Sequence, residues 1–132
     1  MDGAANILAY SYERCQEIGF KGDYGYDELD RIEALTSRFA RLSDILLQRI
    51  FRLIDEIDLE SSGTMRDRIH RAEKKGLIGN AHTFVRIRTL RNDIAHEYTP
   101  EAIREIYKLV MELTPELLES VSKTRAHCLQ YR

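Results

Sequence analysis

The fold of this chain is decided by residues 27–58, which read DELDRIEALTSRFARLSDILLQRIFRLIDEID. Apolar side chains recur in this stretch every three or four residues, which is the spacing of one face of an α-helix. The stripe consists of Leu29, Ile32, Leu35, Phe39, Leu42, Leu46, Ile50, Leu53 and Ile57. Asp27 can cap the first turn. The pattern predicts a helix about 48 Å long, at 1.5 Å per residue.

The C-terminal half of this helix carries a second apolar edge. Leu47, Phe51 and Ile54 lie beside the main stripe and widen it. A helix that is apolar over so much of its circumference has to be covered on more than one side. One chain of this length has limited cover to offer, so the second edge favours a homodimer in which another copy supplies the cover.

Four more helices are predicted along the chain, separated by short loops that contain glycine. They are placed at residues 3–18, 65–75, 81–97 and from Thr99 to the C-terminal region. Thr64 begins the third helix with a capping box, Gly76 fits its C-terminal cap, and Asn80 can cap the fourth helix. Within the last helix, Thr114-Pro115-Glu116 repeats a helix-start pattern and predicts a kink or a break. We therefore expect an all-α, antiparallel helical bundle of about five helices.

Composition and charge are those of a soluble globular chain. With 132 residues, 43% of them hydrophobic and 32% charged, residues 1–132 are expected to form a single domain with one core. The net charge is −2, so the chain offers no overall positive field to attract nucleic acid. A local basic cleft remains compatible with this charge, above all a cleft that two subunits build together.

Cysteine and histidine usage predicts no disulfide framework and no metal site. Cys15 and Cys128 are too few and too far apart for either, and they are expected to be free thiols in a reducing compartment. His70, His82 and His127 share no metal-ligand spacing. No stretch approaches the ~20 apolar residues that a membrane span needs. These observations predict a cytoplasmic protein that binds no membrane, metal or other cofactor.

The end of the fourth helix concentrates polar chemistry in the sequence RNDIAHEY, residues 91–98. Each helical residue advances by about 100°, so His96 lies about 200° from the core position Ile94. His96 shares its line with Arg88 and Asn92, while Arg91 lies at the border of the core stripe. The imidazole is therefore predicted to face away from the core, toward solvent or a second subunit.

These residue types suit the cleavage of RNA without a metal ion. That reaction needs a base for the ribose 2′-hydroxyl, an acid for the departing 5′-oxygen and a cation for the phosphate. Imidazole can serve as base or as acid near neutral pH, and guanidinium can bind two phosphate oxygens at once. One chain offers one clear histidine for this work. Two chains related by a twofold axis would supply both roles from identical parts.

The arrangement Arg-x4-His-x-Tyr, from Arg91 through His96 to Tyr98, resembles the signature of the HEPN superfamily and, within it, of HepT-like toxins. The resemblance implies a metal-independent endoribonuclease, the toxin of a toxin–antitoxin pair, with a composite cleft across a homodimer. Arg91 and His96 would be the catalytic pair, and Asn92 would orient the histidine or the phosphate. RNA is then the expected substrate, and no DNA is expected.

Tyr98 takes its expected role from the same resemblance. In HepT-like toxins, the tyrosine two residues after the histidine receives AMP from a nucleotidyltransferase antitoxin of the MNT type. An anionic adenylate beside the cleft would obstruct RNA and repel its phosphates. Tyr98 also falls on the core stripe of the fourth helix, and as a packed core residue it would need no such role.

Two further residues are candidates for support of the site. Asp44 lies on the second edge of the long helix and would hold Arg91 or His96; the alternative is an exposed helix acid. Arg88 would contact phosphate, or it belongs to a solvated helix face.

The site as a whole also has simpler interpretations. Arg91 pairs with Asp93 or Glu97 in one of them, and His96 is then only a polar residue at a helix end. The alternative function is that of a non-catalytic helical subunit that binds substrate for, or regulates, a separate nucleotidyltransferase. A purely structural helical bundle is the third possibility.

Overall fold

The computed structural model describes residues 1–131 and contains five helices, with no strand in that part of the chain. They are α1 (Asp2–Gln16), α2 (Tyr26–Ile57), α3 (Met65–Lys74), α4 (Ala81–His96) and α5 (Pro100–Cys128), which a 3-10 turn at Leu129–Tyr131 extends. The prediction of an all-α protein with about five helices is confirmed. Helix α2 packs against each of the other four helices, which explains why its sequence decides the fold.

The helix ends follow from local side-chain chemistry at most positions. Thr64 Oγ1 accepts a hydrogen bond from the Asp67 backbone N–H at 3.2 Å, and the Asp67 carboxylate accepts one from the Thr64 N–H at 2.8 Å. This is the predicted capping box of α3. Gly76 follows α3 with φ +77°, a conformation that suits glycine after a helix. Asn80 caps α4 as predicted, through a 3.0 Å bond from the Thr83 N–H.

The predicted cap of α2 was wrong. The helix begins at Tyr26, one residue before Asp27, and its N-cap is Gly25. The Gly25 N–H donates to the Glu28 carboxylate at 3.0 Å. Glu28 therefore satisfies the backbone N–H of the N-cap residue, while Asp27 lies inside the first turn.

Helix α2 is continuous but changes its hydrogen-bonding pattern twice. It is α-helical over Tyr26–Asp44, π-helical over Ile45–Ile50 and α-helical again over Phe51–Ile57. In the π-helical segment the Phe51 N–H bonds the Leu46 carbonyl, five residues back instead of four. The extra residue rotates everything that follows by about 100°.

That rotation corrects the prediction for the C-terminal half of α2. Leu47, Phe51 and Ile54, the edge expected to need a second copy, are buried in the core of the chain itself. Leu53 and Ile57, expected to be core residues, are 54% and 50% exposed. The apolar edge left partly exposed is therefore that of Leu53 and Ile57. The 3.6-residue period instead indicates that the second edge, beginning at Leu47, would be the exposed one.

A buried carboxylate joins the end of α2 to α3. Asp55 is only 3% exposed. It accepts hydrogen bonds from Arg71 Nη2 at 2.9 Å and from Lys75 Nζ at 3.0 Å. Arg68 Nη1 adds a 2.9 Å hydrogen bond to the Leu47 carbonyl in the π-helical segment. Helix α3 and its C-cap residue Lys75 thus hold the second half of α2 through charge-assisted hydrogen bonds.

Helix α5 runs unbroken through Pro115, so the predicted break was wrong. Proline cannot donate a backbone hydrogen bond within a helix, yet the apolar residues on both sides, Val110, Leu113 and Leu117, remain buried in the core. Packing along the whole length of α5 therefore outweighs the loss of that bond. No helix within residues 1–131 combines the length and the apolar character that crossing a membrane requires.

Candidate functional site

An open groove of about 1040 Å³ lies between α2 and the C-terminal end of α4. Its polar lining consists of Ser37, Arg41, Asp44, Gln48 and Arg49 from α2, together with Arg91, Asn92 and His96 from α4. The three residues predicted as catalytic therefore line one cavity, and the predicted supporting residue Asp44 lies with them. The other predicted supporting residue, Arg88, is exposed and is not part of the lining.

Arg91 and Asp44 form the central contact of the groove. Arg91 Nε donates to Asp44 Oδ1 at 2.7 Å, and Arg91 Nη2 donates to Oδ2 at 2.9 Å. These hydrogen bonds raise the pKa of the Arg91 guanidinium, against the opposing effect of partial burial. The guanidinium therefore stays cationic. Asp44 is the partner of Arg91 in place of Asp93 or Glu97, so the simpler interpretation of a local ion pair was wrong.

His96 is the last residue of α4 and is exposed, as the helical periodicity predicts. The helix ends here because Glu97 adopts an extended conformation, with φ −109° and ψ 127°. Thr99 then caps α5 through a 3.2 Å bond from the Ala102 N–H. The imidazole is thus presented at a helix end, open to a substrate or to a second subunit. Asn92 lies one helical turn before it on the same face.

Tyr98 lies just outside the groove and is 78% exposed. The interpretation of Tyr98 as a packed core residue was therefore wrong, because the chain leaves the helix at Glu97 and carries the tyrosine away from the core stripe. Its hydroxyl donates to the Ala95 carbonyl at 3.0 Å. Its ring lines a second cavity of about 400 Å³, which shares Ser37 and Ile94 with the groove. Tyr98 is thus a close neighbour of the candidate site.

Sequence reasoning missed the contribution of α2 beyond Asp44. Arg41, Asp44 and Gln48 follow one another at steps of three and four residues, so they share one face of α2. This polar face can be recognised in the sequence. Nothing in the neighbouring residues, however, indicates that it packs next to the C-terminal end of α4. Three arginines and one carboxylate line the groove, a formal charge of +2 in a chain of net charge −2. The groove is therefore a local basic cleft.

The residues of the groove offer cations, an imidazole and amides. Among residues 1–131, no three histidine, cysteine, aspartate or glutamate side chains are grouped so that they would hold a metal ion. Comparison with family models, with curated proteins and with solved structures finds no match. The fold and the site therefore define an all-helical protein with a basic, histidine-containing groove, and its function has to be argued from the residues of that groove.

Proposed function

We propose that this protein is a metal-independent endoribonuclease of the HEPN type, acting as the toxin of a toxin–antitoxin pair. One observation carries the proposal: Arg91, held by two hydrogen bonds to Asp44, lines the same positively charged groove as His96. A fixed guanidinium and an accessible imidazole in one groove are two of the three groups that cleavage of RNA without a metal ion requires.

The reaction is a transesterification within the RNA strand. One imidazole removes the proton from a ribose 2′-hydroxyl, whose oxygen attacks the adjacent phosphorus. The bond from phosphorus to the 5′-oxygen breaks, and an imidazolium donates a proton to that oxygen. The products are a 2′,3′-cyclic phosphate and a free 5′-hydroxyl. Arg91 stabilises the charge that accumulates on the phosphate oxygens.

This chemistry favours an active site shared by two copies of the chain. Base and acid are two roles, and the groove of one copy contains one histidine, because His70, His82 and His127 are not part of its lining. A twofold homodimer would bring two copies of His96 to one phosphodiester. Leu53 and Ile57 offer an uncovered apolar edge on α2, beginning one turn beyond the groove residue Arg49. An edge of this kind is a suitable part of such an interface.

The exposure of Tyr98 supports control by AMP transfer. In the proposed reaction, a nucleotidyltransferase antitoxin directs the phenol oxygen to the α-phosphorus of ATP, pyrophosphate leaves, and the phenol proton goes to solvent or to a base. The adenylate would stand beside the groove because the cavity at Tyr98 shares Ser37 with it. Its negative charge would oppose the entry of RNA phosphates.

The test is cleavage of labelled RNA by the purified protein in the presence of EDTA. We expect cleavage with cyclic-phosphate ends, no cleavage of DNA of the same sequence, and loss of cleavage in His96→Ala. His82→Ala is the matched control, because it removes an exposed histidine of the same helix outside the groove. Undiminished cleavage by His96→Ala would overturn the mechanism.

The alternative function, a non-catalytic subunit of a nucleotidyltransferase, gives a different result in the same experiment. It predicts no cleavage together with a tight complex with the transferase. Mass spectrometry has to show first that Tyr98 carries no adenylate, because a toxin adenylated on Tyr98 would also fail to cleave RNA.

A further inference from the structure

Two arginines of the groove, Arg41 and Arg49, are exposed and have no salt-bridge partner among residues 1–131. Several arginines elsewhere on the surface are neutralised by carboxylates: Arg52 by Glu56, Arg86 by Glu112 and Arg125 by Asp2. Arg91, within the groove, is matched with Asp44. The free positive charge of the groove is therefore concentrated on two side chains of α2.

These two side chains lie on either side of the Asp44–Arg91 pair along α2. They are eight positions apart, which corresponds to at most about 12 Å along the helix axis, because part of the span is π-helical. Both line the groove that contains His96. An RNA strand bound along α2 would therefore contact one free guanidinium on each side of the proposed reaction centre.

The groove has few groups that would distinguish one RNA base from another. Base-stacking platforms in proteins are made of aromatic side chains. None of the groove-lining residues, all of which lie in the described part of the chain, has an aromatic ring apart from the imidazole of His96. Guanidinium groups instead bind phosphate oxygens, which are the same at every nucleotide.

We infer that Arg41 and Arg49 are substrate-binding residues that hold two phosphates of one single-stranded RNA, on opposite sides of the scissile phosphodiester. The inference rests on the proposed function and extends it to the substrate class, which is single-stranded RNA bound through its backbone with little base selectivity. Counterion release then makes the affinity fall steeply with salt.

The experiment measures binding in a background that does not cleave. The His96→Ala protein is titrated with a fluorescein-labelled oligouridine at several concentrations of KCl, alone and combined with Arg41→Gln or Arg49→Gln. Each additional substitution is expected to lower the slope of log affinity against log salt by about 0.7, the value for one phosphate contact on a single strand. Arg41→Lys and Arg49→Lys should restore the slope, because lysine keeps the charge.

Arg52→Gln is the matched control, since it removes one positive charge from α2 outside the groove. Unchanged slopes in both groove variants overturn the inference, even if the unsubstituted protein cleaves RNA. A preference for duplex RNA over the oligouridine overturns it as well. Reduced slopes without any cleavage by unsubstituted protein whose Tyr98 is shown by mass spectrometry to carry no adenylate support the binding residues and refute the nuclease.

Discussion

The Arg91 guanidinium of α4 and the Asp44 carboxylate of α2 are joined by two hydrogen bonds, 2.7 Å from Nε to Oδ1 and 2.9 Å from Nη2 to Oδ2. Two-point pairing fixes the plane of a guanidinium as well as its position. A guanidinium has five N–H donors, so those not bound to Asp44 are left for a phosphate. The pair therefore orients the cation of the proposed active site.

Arg91→Lys tests this orientation, because lysine keeps the charge but cannot form the two-point contact. We expect kcat/KM for RNA cleavage to fall about 100-fold, with a smaller fall in Asp44→Asn. Both side chains are partly exposed, so the free energy of unfolding should fall by about 1 kcal/mol or less. Arg86→Lys on the same helix, whose partner is Glu112, should leave cleavage unchanged. Full activity of Arg91→Lys would show that charge alone is sufficient.

Leu53→Glu tests the proposed dimer. A charge on the uncovered apolar edge of α2 should convert dimers to monomers and abolish cleavage, because each monomer retains only one copy of His96. Light scattering after gel filtration measures the mass. Leu59→Glu is the control, since Leu59 is 90% exposed just beyond the end of α2. A Leu53→Glu variant that remains dimeric would place the interface elsewhere.

Tyr98→Phe tests the site of AMP transfer. If the proposal holds, removing the hydroxyl prevents adenylation by the proposed nucleotidyltransferase antitoxin and ATP, while RNA cleavage persists because the proposed cleavage reaction does not use the phenol. Intact-protein mass spectrometry detects each adenylate. Tyr26→Phe is the matched control, as Tyr26 is 91% exposed and lies far along the chain. An adenylate on the Tyr98→Phe protein would assign the modification to another residue.

Asp58 gives the fold a component of stability that depends on pH. A hydrogen bond from Lys75 lowers the pKa of the Asp58 carboxyl, with a smaller contribution from Tyr131. A lowered folded-state pKa stabilises the fold above the unfolded value of ~3.9 and ceases to do so as the pH falls through the folded-state value. Urea unfolding should therefore show Asp58→Asn to be less stable than the unsubstituted protein near neutral pH, with the difference vanishing in acid. A difference that persists unchanged in acid would show that the carboxylate charge is not its cause.

The positions of the helices along the chain were largely predictable from sequence because helices are specified by local chemistry. The capping box at Thr64 and the cap at Asn80 involve residues three apart, and the structure contains both. The exposure of His96 follows from its angle to Ile94 on one helix. Asp27 is not the cap because the helix already begins at Tyr26. Of the kink or break predicted at Pro115, the break was wrong because packing of α5 on both sides of the proline outweighs a helix-start pattern.

The candidate site was only partly accessible. The placement of Arg91, Asn92 and His96 at one helix end follows from their spacing alone, because neighbours on a helix need no tertiary information. The pairing of Arg91 with Asp44, 47 residues away, and the position of Arg41 and Arg49 in the same groove were set by the tertiary structure. It also decided which edge of α2 is buried, since the π-helical segment is stabilised by contacts with α3 such as the bond from Arg68 to the Leu47 carbonyl. A periodic pattern records the geometry of one helix, whereas register shifts and long-range ion pairs depend on what packs against it.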